Sequence, residues 1–235
     1  MNVAVCVSGL TRSVSYTWPL IERYLVRPYN SSIFLHTWDI DNGGERFNCT
    51  MKGIIPAPSI TDGRTKDQFI QQEIKPEKYI IESYEEFSKE HSNLINKSMY
   101  YGIYKAQELK QTYEKETGTV FDLVIRTRMD VFYETFMIQK EIDEVLANNK
   151  VVYGCLPGTN PDSRFITDAF AFGSQSVMDV YANTWKQQAI TSGTPGELIL
   201  QKQLFSNSIN FKWSNIKYKM ITIWNSRDVH AWGDF

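Results

Sequence analysis

The chain lacks any apolar run approaching the roughly 20 residues that a membrane-spanning helix needs, so no membrane span is expected. It also lacks a basic excess: 25 Lys and Arg stand against 27 Asp and Glu, for a formal charge of −2 and a pI of about 6.0. Non-specific nucleic-acid binding depends on a basic face, so nucleic acid is not an expected partner. No run of like charge marks a tail. Cysteine is scarce: Cys6, Cys49 and Cys155 are odd in number and widely spaced, with neither a metal-type spacing nor a disulfide framework. That usage fits a reducing compartment. Residues Met1 to Gly9 have no basic start and no long apolar core, so they read as a buried strand rather than a secretory signal. Sequon matches at Asn30, Asn48 and Asn96 are then chance. The expected location is the cytoplasm.

What is present is an ordinary globular balance over 235 residues, with 42% hydrophobic and 22% charged residues. The length suits one α/β domain spanning residues 1–235 with a real core. Aromatics reach 14%, including 6 Trp and 13 Tyr. They supply packing area and also surfaces on which bases and sugars stack.

Val3 to Val7 is a β-branched apolar run closed by Ser8-Gly9, a strand and a turn. Val14 to Val26 carries apolar residues at helical spacing, and Ile33-Phe34-Leu35 is a second buried strand. Strand, helix and strand within about 35 residues imply a βαβ unit and a parallel sheet. Residues 40–64 are rich in Gly, Asn, Pro and Asp and read as a long loop. Further helices are expected over Thr65–Ile74, Tyr84–Lys89, Ile138–Ala147, Ser174–Lys186 and Pro195–Leu204. Further strands are expected over Lys78–Ile81, Val151–Gly154, Ala169–Phe172 and Tyr218–Trp224. The clearest amphipathic helix runs from Asn93 to about Glu116, with Gly118 as its stop.

Four short stretches carry chemistry. In Arg126-Thr127-Arg128-Met129-Asp130, charge appears abruptly after the buried strand Leu123 to Ile125. Alternation along a strand sends Arg126, Arg128 and Asp130 to one side if the strand persists. Two guanidiniums beside one carboxylate suit a nucleotide diphosphate with a divalent metal, and equally a salt bridge that closes a strand end. Ser8-Gly9-Leu10-Thr11-Arg12-Ser13 offers a tight turn, backbone N–H groups at a helix start and one guanidinium. Its plainer reading is a turn that caps the helix. His36-Thr37-Trp38-Asp39 ends the second strand with a possible ligand and a possible stacking ring, or simply a packed Trp and a hydrogen-bonded His. Asp168 stands just before an apolar strand, where it serves as a base, grips sugar hydroxyls, or caps the strand. In the tail, Asp228 and His230 could close over a metal, although a chain end of this kind is commonly disordered. Thr194 and Glu197 match a capping box around the start of the helix after Pro195.

Taken in order, Val7–Arg12, Phe34–Asp39, Met99–Ala106, Leu123–Asp130 and Thr167–Ser174 resemble a group of glycosyltransferases. That group is encoded in bacterial surface-glycan loci and by large DNA viruses, including those of chlorella algae. The resemblance covers residue 3 to about residue 205. It implies a GT-A-like fold: an α/β domain with a central, mostly parallel twisted sheet flanked by helices. It implies transfer of a sugar, a hexose or deoxyhexose, from a nucleotide sugar, most simply a UDP-sugar, to a glycan hydroxyl, assisted by Mn2+ or Mg2+. On this likeness Ser8, Gly9, Leu10, Thr11, Arg12, Trp38, Arg126 and Asp130 hold the nucleotide sugar. Asp130 and His230 bind the metal, and Asp168 and Arg128 are catalytic. The acidic motif of that superfamily is usually Asp-x-Asp, whereas here Arg128-Met129-Asp130 lacks the first acid. A nucleotidyltransferase and a non-catalytic carbohydrate-binding domain are the rival readings.

Overall fold

A computed structural model describes residues 1–11, 13–40, 60, 62–91, 97–155, 168–187, 196–225 and 228–232. The elements follow in chain order. Strand β1 (Val3–Ser8) leads to helix α1 (Val14–Ile21), which runs on through wider helical turns (Glu22–Val26) and a tight turn (Arg27–Tyr29) into β2 (Ser32–Trp38). Helix α2 (Lys66–Phe69) continues as Ile70–Ile74, then β3 (Lys78–Glu82), α3 (Tyr84–Glu90) and the long α4 (Lys97–Thr117). Strand β4 (Leu123–Arg128) is followed at once by β5 (Val131–Tyr133), α5 (Gln139–Ala147) and β6 (Val151–Gly154). Next come β7 (Phe170–Ser174), α6 (Gln175–Ala182) with a turn over Asn183–Lys186, and α7 (Gly196–Ser206). Strands β8 (Asn210–Trp213), β9 (Tyr218–Asn225) and β10 (Asp228–Trp232) complete the order.

Seven strands form one sheet in the order β3-β2-β1-β4-β7-β6-β8. Strands β3, β2, β1 and β4 are mutually parallel. Strand β7 is antiparallel to both neighbours, and β6 is parallel to β8. Only β7 therefore runs against the rest, which makes this α/β sheet mostly parallel, as the βαβ spacing predicts. Strands β5, β9 and β10 make a second, antiparallel sheet.

All six residues of β1 are buried, which a strand needs when helices cover both faces of a parallel sheet. Alternation splits the core in two. Val3, Val5, Val7, Ile33, Leu35, Leu123 and Ile125 pack with Trp18, Ile21 and Leu25 of the first helix. Ala4, Cys6, Phe34 and Val124 pack with Tyr100, Ile103 and Ala106 of α4 and with Met178 and Tyr181 of α6. Each large apolar side chain buried this way contributes about 1.5–3 kcal/mol before entropy is counted. Gly118 stops α4 at φ +73°, a conformation that favours glycine.

Several expectations change. Strand β4 runs three residues further than its apolar run suggests, so Arg126 and Arg128 lie inside it. Asp130 lies in the turn to β5, off the strand. The tail, expected to be loose, contributes β10, which pairs with β9. Strands β5, β8 and β10 were not legible beforehand. Cys6 and Cys155 are buried free thiols, in keeping with scarce cysteine. Burial pushes the Cys6 thiol up to about 12, so it is inert at neutral pH. Cys49, Asn48, Asn96, Thr194, Arg12 and most of the loop 40–64 lie outside the described residues.

Candidate functional site

Strand order reverses between β1 and β4. From β1 the chain steps outward to β2 and β3, then returns to the other side of β1 with β4. In open parallel sheets the crevice beyond such a switch point is where ligands bind, outside the carboxyl ends of the strands. Ser8 ends β1 and is level with His36 on one side and Arg128 on the other. Gly9 follows at φ +133°, which only glycine adopts without strain. Its N–H donates to the His36 carbonyl (3.4 Å), and its own carbonyl accepts from Thr37 Oγ1 (2.8 Å). Leu10 is half-buried and Thr11 is buried, and the Thr11 carbonyl accepts from the N–H of Val14 in the first turn of α1 (2.9 Å). The sequence-predicted nucleotide turn is thus a rigid link between two strands and a helix.

Helix α4 presses close to this edge. A Cβ on Gly102 would stand 2.9 Å from His36 Nδ1 and 3.4 Å from the Ser8 Cβ. Ser8, His36 and Arg126 therefore continue the α4-facing series begun by Ala4, Cys6, Phe34 and Val124.

The two arginines of β4 have different fates. The Arg128 fork grips Asp130 side-on, Nε to Oδ1 and Nη2 to Oδ2, both at 2.7 Å. Its Nη1 reaches Asp168 Oδ2 at 3.4 Å. Burial pulls the Arg128 pKa down, but the two carboxylates more than reverse this and hold it well above its ordinary value. The Arg128 side chain is 18% exposed and that of Asp130 only 4%. The turn that carries Asp130 is pinned by α1, since Thr17 Oγ1 donates to the Met129 carbonyl. Beside it, the Thr127 and Tyr133 hydroxyls share a 2.7 Å hydrogen bond.

Arg126 is 2% exposed, and among the described residues no carboxylate stands within ion-pair distance of it. Two long bonds of 3.4 Å run from Nη1 to the Ala169 carbonyl and from Nη2 to Ser8 Oγ, and Nε has no acceptor. Sequence alternation put Arg126, Arg128 and Asp130 together; the structure joins Arg128 to Asp130 and leaves Arg126 deeper and apart.

His36 is buried with its Nε2 2.9 Å from Glu82 Oε2. Burial lowers its pKa against the pull of Glu82, so it is neutral at pH 7 and donates through Nε2. Trp38 is 3% exposed and packs on Tyr101, Phe87 and Tyr84. Asp39 Oδ1 accepts from the Tyr84 N–H (3.0 Å), which ties it to the start of α3 and away from Asp130. His36 is thus hydrogen-bonded and Trp38 packed on rings where β2 ends. Asp168 lies two residues before β7, 8% exposed, and accepts from Arg128 Nη1.

Of the two predicted metal ligands, the described one, Asp130, is engaged by a guanidinium. Both Asp130 oxygens lie in the Arg128 fork, and the position two residues before Asp130 holds a cation. Among the described residues no three His, Cys, Asp or Glu side chains converge as metal ligands. His230 lies in β10, and its side chain is outside the described residues.

Sequence reasoning missed Tyr100 and Tyr181, buried within electrostatic reach of Arg126 with hydroxyls that have no partner among the described residues. Tyr100 falls one residue off the apolar stripe read for α4, and the signal available was a phenol placed among core residues. It also missed Glu82 as the partner of His36, 46 residues away in sequence.

The fold and site define an α/β protein with a cluster of charged side chains at its switch point. Neither a protein-family model nor any curated protein matches the chain. Among the described residues no helix is long and apolar enough to cross a membrane.

Proposed function

We propose that the chain is a GT-A-like glycosyltransferase that moves a sugar from a nucleoside-diphosphate sugar, a UDP-sugar in the simplest case, to a hydroxyl of a glycan. One observation carries this reading: Arg126, a buried guanidinium with, among the described residues, no carboxylate in ion-pair range and no acceptor for its Nε, lies in β4 beside the switch point. Arg keeps its charge at any ordinary pH, and an unpaired buried charge is retained at a stability cost of several kcal/mol. A site that keeps one is suited to an anion, and a diphosphate is the anion that open α/β sheets take at this place.

In the proposed reaction the acceptor oxygen forms a bond to the anomeric carbon. The bond from that carbon to the diphosphate oxygen breaks, with its electron pair leaving on the diphosphate. Asp168 takes the acceptor proton. It accepts one long bond from Arg128, which aims the carboxylate. Arg126 offsets the charge that develops on the leaving group. Asp130 acts on Arg128 and not on substrate, as a positioning residue.

The test is to titrate the purified chain with a panel of nucleotide sugars and identify the product formed with glycan acceptors. The expected result is tight binding of at least one nucleotide sugar and release of nucleoside diphosphate. Asp168→Asn is expected to lower turnover by about two to four orders of magnitude while leaving donor binding within a few-fold. Release of pyrophosphate would instead identify a nucleotidyltransferase. Glycan binding with no nucleotide-sugar binding would identify a carbohydrate-binding domain.

A further inference from the structure

Buried polar groups in native proteins are nearly always hydrogen-bonded, so each exception asks for a reason. Six buried side-chain atoms of the described residues have no partner: Ser13 Oγ, His36 Nδ1, Tyr100 OH, Glu114 Oε1, Arg126 Nε and Tyr181 OH. Three of the six belong to one place. Arg126 comes from β4, Tyr100 from α4 and Tyr181 from α6, and they are 2%, 0% and 0% exposed. Tyr100 and Tyr181 lie within electrostatic reach of each other and of Arg126, Asp168 and Glu197. Burial is the main cause that pushes both phenols well above their ordinary pKa, and Asp168 and Glu197 add to it against the pull of Arg126. Both hydroxyls therefore keep their protons at neutral pH and can donate.

Tyr100 is also held in place. A Cβ on Gly196, the first residue of α7, would lie 2.2 Å from the Tyr100 ring, so the helix start is packed directly on it. Phenylalanine would fill the same space without an orphaned hydroxyl. Two phenols with no acceptor among the described residues, and a guanidinium whose Nε is unused and whose other two bonds are 3.4 Å long, make a preorganised set of donors.

Resting on the transferase reading above, we infer that Arg126, Tyr100 and Tyr181 form an anion hole for the oxygens of the leaving diphosphate, and that this hole supplies the charge stabilisation without a divalent cation. Three donors from three rigid elements match an oxyanion with several oxygens better than a single-atom ion. Enclosure strengthens each bond, because donors fixed in a water-poor site do not reorganise as charge develops. The Asp130 carboxylate, occupied by Arg128, is not needed for it.

The test uses calorimetric titration of the whole chain with inorganic pyrophosphate and with UDP, in EDTA and again with Mn2+, and with acetate at matched ionic strength as a simple monoanion. Expected is binding of pyrophosphate and UDP in EDTA, changed by less than about threefold on adding Mn2+. Tyr100→Phe and Tyr181→Phe should each weaken it by roughly ten- to a hundredfold. Arg126→Met should abolish it and raise the melting temperature of the ligand-free protein, since an unpaired buried charge is removed. Binding that requires Mn2+, acetate binding as strong as pyrophosphate, or unchanged affinity in both tyrosine variants would each overturn the inference. A lower melting temperature in Arg126→Met would mark the guanidinium as structural and also overturn it. If pyrophosphate behaves as expected but no nucleotide sugar is consumed, the hole stands and the transferase reading fails. If a nucleotide sugar is consumed only with Mn2+, the transferase reading stands and the hole falls. Absence of any pyrophosphate or UDP binding ends the hole, whatever the turnover.

Discussion

Asp130→Ala is expected to cost about 3 kcal/mol of folding stability, the low end for breaking a buried ion pair. The variant strips Arg128 of both 2.7 Å bonds and leaves it the 3.4 Å contact to Asp168. With its side chain 18% exposed, Arg128 cannot simply hydrate in place. The midpoint of urea unfolding measures the loss, provided the slope is unchanged. The double variant Asp130→Ala/Arg128→Met removes both charges and should recover much of that stability, because replacing a buried pair by apolar groups is often close to neutral. Activity should not return with it. Arg128 aims Asp168, so the double variant should remain about a hundredfold or more below the native rate. A double variant that is stable and fully active would reduce the Arg128–Asp130 pair to a strand-end clamp. An ion-binding role for Asp130 would show differently, as a rise in the Mn2+ requirement in Asp130→Asn.

Gly196→Ala is the second large effect, expected at about 2–3 kcal/mol of destabilisation from overpacking. The added Cβ would meet Tyr100 Cε2 at 2.2 Å and Cζ at 3.1 Å. Tyr100 is wholly buried and has no room to step aside. Either α7 lifts or the ring shifts, and the Tyr100 hydroxyl moves with it. Pyrophosphate affinity should therefore fall together with stability. Gly154→Ala offers a contrast. Its nearest obstacle, Phe211 at 2.5 Å, is only partly buried, so the ring can turn outward, and none of the three atoms nearest the added Cβ belongs to Arg126, Tyr100 or Tyr181. It should lose stability without losing pyrophosphate affinity. Equal loss of binding in both variants would mean that Tyr100 carries no special weight.

The central strands were legible because they are buried on both faces. Val3 to Val7 and Leu123 to Ile125 are continuous apolar runs, which a parallel sheet under helices requires and a half-exposed strand would not show. Helix α4 was legible from its stripe and from Gly118, whose left-handed φ ends it. Strands β5, β8 and β10 were not, since three to five residues beside turns carry too little pattern. The candidate site was half legible. The abrupt charge after Ile125 marked the right edge of the sheet. What the spacing could not tell was that Arg126 and Arg128, two residues apart and on the same side, would meet different neighbours. Arg128 finds two acids; Arg126 finds Ser8, a carbonyl of the residue after Asp168, and two phenols from distant helices. Those neighbours are set by helix placement over the sheet, a tertiary property with no local signature. His36 shows the same limit: its partner Glu82 comes from the next strand.

The most direct measurement is a crystal structure of the chain grown with a nucleoside diphosphate and Mn2+ together. The account predicts diphosphate oxygens within hydrogen-bonding distance of Arg126, Tyr100 and Tyr181, beyond the carboxyl ends of β1 and β4, with the Arg128 fork still closed on Asp130. A diphosphate bridged to Asp130 by the metal, with Arg126 untouched, would contradict it.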